Sequence, residues 1–211
     1  MHSGVDPVGA GLVESLARPG GNVTGAVEHH PELSGKQLEL LPEMVPGITH
    51  VTALGSVPSL EAARYEELAM AGRALGLELR VLGVPTADAL AEAISTEVGA
   101  RTDALLVVHS GLIASQQAQI VGFAARERLP AMYGRSTYAT AGGLAAYGPS
   151  LRDLYASAAT QVDKILKGAK PADLPLEQPM RFDFVVNMKT AQALGLTIPY
   201  HVLLQATDVI Q

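Results

Sequence analysis

The sequence predicts an α/β protein built on parallel β-sheets that carry helices on both faces. Short apolar strands alternate with amphipathic helices through the middle of the chain, and small aliphatic residues dominate the composition. The segment 104–108 is entirely apolar, which is typical of a strand buried on both faces. With 211 residues, 48% of them hydrophobic and 17% charged, the chain is long enough for a sizeable core.

The composition disfavours several classes of function. The formal net charge of −6 is dispersed along the chain, so no basic stripe is available to neutralise nucleic-acid phosphates. The absence of cysteine excludes disulfides, thiol catalysis and cysteine-based zinc sites. No apolar run approaches the roughly 20 residues that span a bilayer.

The segment 33–138 is predicted to form one complete, doubly wound lobe. A helix over 34–45 leads into it. The strands predicted next are 50–55, 77–84, 104–108 and 129–133, and the helices between and after them are 60–75, 88–99 and 115–128. This alternation indicates a parallel sheet whose crossover helices cover both faces.

The flanking segments are predicted to form a second lobe, made of 1–28 and continued by 140–211. They read as a helix over 8–17, a strand over 22–28, a turn and strand over 141–148, a helix over 151–168, a strand over 182–187 and a helix over 188–194. On the long helix, the predicted apolar stripe is Leu154, Ala158, Val162 and Ile165. A chain that leaves one domain, completes another and then returns has the layout of a two-lobed ligand clamp.

The start of the chain reads as the loop that follows a strand. The stretch Ser3–Gly9 has this character, yet only Met1 and His2 precede it. We therefore expect the first lobe to lack its opening strand. The first residues also lack the charged start and apolar run of a signal peptide. Taken alone this predicts a cytoplasmic protein, although truncation or an internal methionine taken as the start would remove the signal equally.

Several separated motifs resemble the substrate-binding proteins of ABC transporters, a periplasmic-type family that includes tryptophan- and tyrosine-binding members. The motifs lie at 6–9, 17–25, 32–36, 141–143, 162–175 and 193–199. The resemblance implies a periplasmic-binding-protein-like fold with doubly wound parallel sheets in two lobes, the first of them incomplete. It also implies a small solute such as an amino acid, a membrane permease as partner, and an extracytoplasmic location.

Within the first lobe, the resemblance places the turn containing Ser3 and Asp6 at the ligand cleft, where Asp6 would meet a positively charged group. The alternative for Asp6 is a cap on the following helix. Thr24 is a candidate for offering its hydroxyl to the ligand from a hinge strand. The alternative there is an ordinary strand residue after a Gly-Gly turn.

The remaining candidate ligand residues follow strands of the complete lobe, because ligands of doubly wound sheets bind outside the carboxyl ends of the strands. They are Ser56, His109, Ser110, Tyr133, Arg135 and, at a crossing between lobes, Tyr147. Arg135 is predicted to hold a carboxylate and Tyr133 or Tyr147 to offer an apolar face. The alternatives are a helix cap for Ser110 and an exposed loop position for Arg135. Ser56 stands where family members often carry an Asn-Pro pair, which leaves the identity of the solute open.

Searches for catalytic motifs find none. The phosphate loop and the nucleophile elbow are missing, and the adjacent His29 and His30 lack the spacing of a metal site. We therefore expect no enzyme activity, no cofactor and no metal. The leading hypothesis is capture of a solute between two lobes for delivery to a permease. The alternative is a truncated, non-catalytic ligand-sensing or protein-interaction domain that dimerises through its incomplete lobe.

Overall fold

The structure is a computed structural model and describes residues 2–3, 7–28, 33–57, 62–97 and 102–211. Its strands are β1 His2–Ser3, β2 Ala26–Val27, β3 His50–Ser56, β4 Glu78–Val84, β5 Ala104–Val107, β6 Ala131–Tyr133, β7 Ala145–Pro149, β8 Phe182–Asn187 and β9 Asp208–Ile210. Its helices are α1 Leu33–Met44, α2 Ala62–Ala74, α3 Ala87–Glu97, α4 Gly111–Ser115, α5 Gln117–Arg126, α6 Ser136–Thr140, α7 Leu151–Leu166, α8 Met188–Leu194 and α9 Tyr200–Leu203.

These elements fall into two units. The small unit comprises Met1–His30 and Pro149–Phe182, and the large unit comprises Pro31–Gly148 and Asp183–Gln211. The sequence placed all of 140–211 with the first lobe, and the structure corrects this. Residues 140–148 and the chain from Asp183 onward belong to the large unit, because β7, β8 and β9 are strands of its sheet.

The large unit is built on a seven-stranded sheet in the order β4-β3-β5-β6-β7-β8-β9. The pairs from β4 through β7 are parallel, and so is the pair β8–β9. β8 runs antiparallel to β7, since Asn187 N donates to Leu144 O at 2.8 Å while Ser150 N donates to Arg181 O at 3.0 Å. The predicted parallel α/β sheet is therefore confirmed, with one antiparallel step.

Side chains that alternate along the strands pack into two separate cores, one on each face of the sheet, as expected for a doubly wound lobe. On one face, Leu106 and Met132 pack with α1 residues such as Leu41. On the other, Leu105 and Val107 pack with residues of α3, α4 and α5. Each face is thus covered by helices, which leaves the strand ends as the places where polar side chains gather.

Some predicted elements have different bounds in the structure. The strand and helix predicted over 182–187 and 188–194 are confirmed as β8 and α8. The helix predicted over 115–128 is two helices, α4 and α5, that begin earlier and end earlier. The short α9 and β9 were not predicted.

The small unit contains the parallel pair β1–β2, the helix α7 and a 3-10 turn over Pro171–Asp173. The helix predicted over 8–17 is wrong, because this stretch forms turns in which the Pro7 carbonyl accepts from Leu12 N and Val13 N. The predicted stripe of α7 is wrong at Val162, which is exposed, whereas Leu154 and Gln161 are buried.

Among the described helices, none has both the length and the apolar character needed to cross a lipid bilayer.

Candidate functional site

The carboxyl ends of β3, β5, β6 and β7 carry most of the predicted ligand residues, and we call this part of the large unit the ligand edge. The strand register aligns Leu54 with Val107, and Val107 with Tyr133. Extending this register by two residues, beyond the paired strands, would align Ser56, His109 and Arg135 in one row. Because neighbouring strands lie about 4.8 Å apart, this row spans roughly 10 Å.

Ser56 and His109 occupy the first two places of this row. Ser56 is buried at the end of β3, and His109 is half-buried after β5. A Cβ built on Gly134 would stand 3.1 Å from the His109 Cβ, so the loop after β6 packs directly on His109. This contact brings the loop after β6 against the loop after β5, which the sequence analysis treated as separate.

Ser110 acts as a helix cap. It has extended backbone angles and its Oγ accepts from Ile113 N at 3.3 Å, which satisfies one of the first amides of α4. This matches the alternative that the sequence left open for Ser110. Its hydroxyl oxygen is therefore already engaged by the backbone.

Arg135 is buried, with only 8% of its surface exposed. It precedes α6 in an extended conformation. Its positive charge lies close enough to the Tyr138 phenol to counteract the effect of burial, which raises the pKa of Tyr138 to about 12. The alternative of an exposed arginine on a loop is therefore wrong. A guanidinium withdrawn from bulk water acts on its neighbours through a weaker dielectric screen than a surface charge does.

Tyr133 lies inside the core. Its ring is fully buried and stacks on Tyr138, with the ring centroids 4.8 Å apart. Burial raises the pKa of its phenol far above the usual range, and its hydroxyl has no hydrogen-bond partner within the described part of the chain. The ring has no exposed face in this structure, so it contributes to the core beneath the ligand edge rather than to its surface.

Tyr147 is half-buried in β7 and packs against the core on the α1 side of the sheet. Its ring meets Phe184 edge to face, with centroids 6.1 Å apart and an interplanar angle of 69°. Burial raises the pKa of the Tyr147 phenol, Lys36 opposes this rise and Glu39 adds to it. The phenol therefore lies beside the first turns of α1.

Gln37 belongs to the same edge but was not predicted from the sequence. It is 2% exposed, and its Nε2 donates to the Tyr147 carbonyl oxygen at 2.6 Å. A signal for it exists in the sequence: Gln37 falls on the stripe of α1 that buries Leu38, Leu41 and Met44. A polar residue on an otherwise apolar stripe needs a hydrogen-bond partner in the interior.

The candidates in the small unit are described less completely. Thr24 is buried, and its hydroxyl donates to the Leu174 carbonyl oxygen at 2.8 Å and lies 3.2 Å from Gln161 Oε1. Ser3 lies in β1, where the backbone alone is described, and Asp6 lies outside the described residues. Contacts of Ser3 and Asp6 with a ligand stay predictions.

In the part of the chain that the structure describes, no three histidine or carboxylate side chains are grouped so as to hold a metal ion. The ligand edge instead combines a buried guanidinium, an imidazole, hydroxyl groups and a half-buried phenol ring. Such a set can hold a small molecule by hydrogen bonds, charge and ring packing.

A family model described as ABC transporter substrate binding protein matches residues 1–210 of this chain. The chain belongs to this family. The resemblance seen in the motifs is thereby confirmed, and the family consists of substrate-binding proteins rather than enzymes, in agreement with the predicted lack of catalysis.

Comparison with individual family relatives gives the same result. A tyrosine-binding protein of Clostridioides difficile is 27% identical over 198 residues, which are 93% of this chain and 56% of the relative. The chain therefore spans little more than half the length of this curated relative.

Two solved structures show the same fold. An ABC domain from Streptococcus pneumoniae in complex with L-Trp is 33% identical, with a TM-score of 0.88 over 98% of this chain and 69% of the other. A ligand-free, open substrate-binding protein with adhesive properties from Clostridium difficile is 25% identical, with a TM-score of 0.67 over 100% of this chain and 70% of the other.

Proposed function

We propose that this chain is the solute-binding part of an ABC importer, which captures an amino acid with an aromatic side chain and delivers it to a membrane permease. The proposal includes an extracytoplasmic place of action. Its support comes from membership of the family and from two relatives, one named for tyrosine binding and one in complex with L-Trp. The observation that carries it is the placement of a buried arginine and a half-buried tyrosine at one edge of the large unit.

In this proposal Arg135 receives the carboxylate of the solute. A guanidinium can make two parallel hydrogen bonds to a carboxylate, and its low exposure strengthens the attraction. His109 and Ser56 stand in the same register row and would complete the polar end of the site. Among the described residues, this row places an imidazole and a hydroxyl group near the guanidinium and adds no carboxylate. Such a set is suited to binding an anionic group of the solute.

In this proposal Tyr147 provides the apolar surface. It packs on the α1 side of the sheet, in the strand that pairs with β6, and β6 leads to Arg135. The proposed solute lies across these strand ends and contacts both side chains. Aromatic rings are well suited to pack against another ring in an offset or edge-on arrangement. Asp6 and Ser3 stay in the proposal as ligand residues. Asp6 is the proposed partner of the solute ammonium group.

The test is isothermal titration calorimetry with L-Trp, L-Tyr, L-Phe, L-Leu and L-Lys on the wild-type chain and two variants. Arg135→Met removes the charge at similar length, and Arg126→Met removes an exposed arginine from α5 as the control. We expect the aromatic amino acids to bind and Arg135→Met to weaken binding at least tenfold, since hydrogen bonds to charged groups contribute about 1.5–3 kcal/mol each. Absence of binding to every amino acid tested would contradict the proposal.

A second function is favoured by a specific feature of the small unit. Along α7, Tyr155, Val162 and Leu166 are 64%, 54% and 83% exposed and follow the spacing of one helix face. Exposed apolar stripes of this kind are found where proteins associate. The second candidate is therefore a protein-interaction domain that pairs with another copy of itself through α7. Sedimentation at several concentrations would reveal such pairing, and Leu166→Glu should abolish it.

A further inference from the structure

We propose that Gln37 is a positioning residue, which holds Tyr147 in place for an aromatic solute. This inference rests on the proposed function and adds a residue to the site. Gln37 lies on α1, far from Tyr147 in the sequence, and it is among the most buried polar side chains that the structure describes. Its amide donates to the backbone carbonyl of Tyr147, so the hydrogen bond does not involve the ring.

The hydrogen bond is short and partly buried. The Gln37 Nε2 is 2.6 Å from the Tyr147 carbonyl oxygen, which is slightly shorter than the usual range of about 2.7–3.2 Å for this type of bond. A buried carbonyl that loses its donor retains the cost of desolvation, so replacing Gln37 with an apolar side chain favours movement of this backbone group. The end of β7 is therefore fixed by a side chain of α1.

The same amide lies close to the neighbouring strand ends. A Cβ built on Gly134 would stand 3.6 Å from Gln37 Nε2 and 3.1 Å from the His109 Cβ. Gly134 directly precedes Arg135, so one side chain is adjacent to the loops that carry three of the candidate ligand residues. Gln37 thereby lies beside both the loop after β6 and β7.

The Tyr147 ring is then held from two sides. Phe184 of β8 packs against the ring in an edge-to-face arrangement. The charged side chains of Lys36 and Glu39 lie near the phenol. With the backbone held by Gln37 and the ring held by Phe184, Tyr147 has few alternative orientations. A ring fixed before binding loses less conformational entropy when the solute arrives.

The experiment measures the affinity for L-Trp by its fluorescence, which is specific because the chain contains no tryptophan. Gln37→Met keeps the length of the side chain and removes the donor, and Gln119→Met makes the same change at an exposed position of α5 as the control. Both are measured alone and combined with Tyr147→Ala. This second substitution removes the ring but keeps the backbone carbonyl.

We expect Gln37→Met to weaken L-Trp binding about tenfold in the wild-type background, from the usual net value of a hydrogen bond. In the Tyr147→Ala background the same substitution should change the affinity by less than about twofold, because the ring it positions is gone. An equal loss in both backgrounds, or a lower melting temperature with unchanged affinity, would overturn the inference.

Gln37→Glu supplies a second test if Gln37→Met does not fold. A protonated carboxyl group can donate to the Tyr147 carbonyl and a carboxylate cannot. The affinity of Gln37→Glu relative to wild type should therefore recover as the pH is lowered. A constant ratio would overturn the inference. The proposed function fails separately, if the wild-type chain itself binds no amino acid.

Discussion

Gly148 lies so close to Gly134 that a Cβ built on Gly148 would clash with the Gly134 carbonyl oxygen. The contact joins the end of β7 to the loop after β6, and the contacted atoms belong to the backbone. A backbone group cannot turn aside as the tip of a long side chain can. The two glycines therefore set the spacing between the loop that carries Arg135 and the strand that carries Tyr147.

We predict that Gly148→Ala lowers the free energy of unfolding by about 1–3 kcal/mol, the usual cost of adding atoms where no space exists. It should also weaken binding of L-Trp, since Gly134 must move together with Arg135. Chemical denaturation and calorimetry would measure the two effects. Gly122→Ala is the matched control, because a Cβ there meets nothing within 4 Å and α5 gains from the replacement. Equal stabilities of the two variants would contradict the prediction.

The end of α5 yields a second prediction. Arg128 has a φ of 55°, and Leu129 N donates to Ala124 O at 2.8 Å, the bonding that closes a helix around a left-handed residue. The position favours glycine. We expect Arg128→Gly to be more stable than Arg128→Ala by about 1 kcal/mol in denaturation experiments. Both variants lose the bond from Arg128 to the Ala193 carbonyl, so their difference reports the backbone alone. Identical stabilities would show that the left-handed conformation is not populated.

Thr24 leads to a third prediction, for the small unit. Its hydroxyl and the Gln161 amide connect the segment before β2 to α7 and to the carbonyls of Leu174 and Pro175. We expect Thr24→Val to lower the free energy of unfolding by about 1–2 kcal/mol, because buried acceptors lose their donor. Thr24→Ser retains the hydroxyl and should lose less. If Thr24→Val instead weakens solute binding without affecting thermal unfolding, Thr24 acts as the ligand residue that the sequence predicts.

The amino ends of β3 and β5 give a prediction about pH. The Asp103 carboxylate accepts from Thr49 N and His50 N, each at 2.8 Å, and these backbone bonds lower the pKa of Asp103. A carboxyl group with a lowered pKa in the folded state stabilises the fold above its unfolded pKa and loses this effect as the pH falls. The stability difference between wild type and Asp103→Ala should therefore be smaller below about pH 4 than at about pH 5.

Asp208→Ala, at an exposed position on β9, serves as the control for this series. The Asp103 side chain is itself partly exposed, so the difference should be modest and should decrease in high salt. A difference between wild type and Asp103→Ala that grows as the pH falls would contradict the assigned cause.

The parts of the fold that were predicted correctly are those where local signals agree with the tertiary structure. The bounds of α8 were predicted because Asn187 caps its start and Gly195 adopts the left-handed conformation at its end. The end of α5 was placed two residues too late, since Arg128 takes the conformation that glycine usually marks. β9 was missed because a strand of three residues gains its stability from pairing with β8, which no local pattern reveals.

The candidate site was predicted less completely, for a related reason. Strand-end positions such as His109 and Arg135 could be found because parallel strands align their carboxyl ends at one edge. Burial could not be read from the chain in the same way: Tyr133 follows the pattern of a strand end, yet its ring belongs to the core. Gln37 can be noticed in the sequence as a polar residue on the apolar stripe of α1, but its place at the edge follows only from the packing of α1 on the strands.

The order of synthesis has a consequence for how this molecule assembles. The large unit receives its last two strands only after the ribosome has made all of α7, which belongs to the small unit. Until then, the flank of β7 offers unsatisfied backbone groups to any strand nearby. Correct folding therefore depends on strand pairing that occurs late and joins distant parts of the chain. Association of two nascent chains through β7 is the misassembly that this strand order favours.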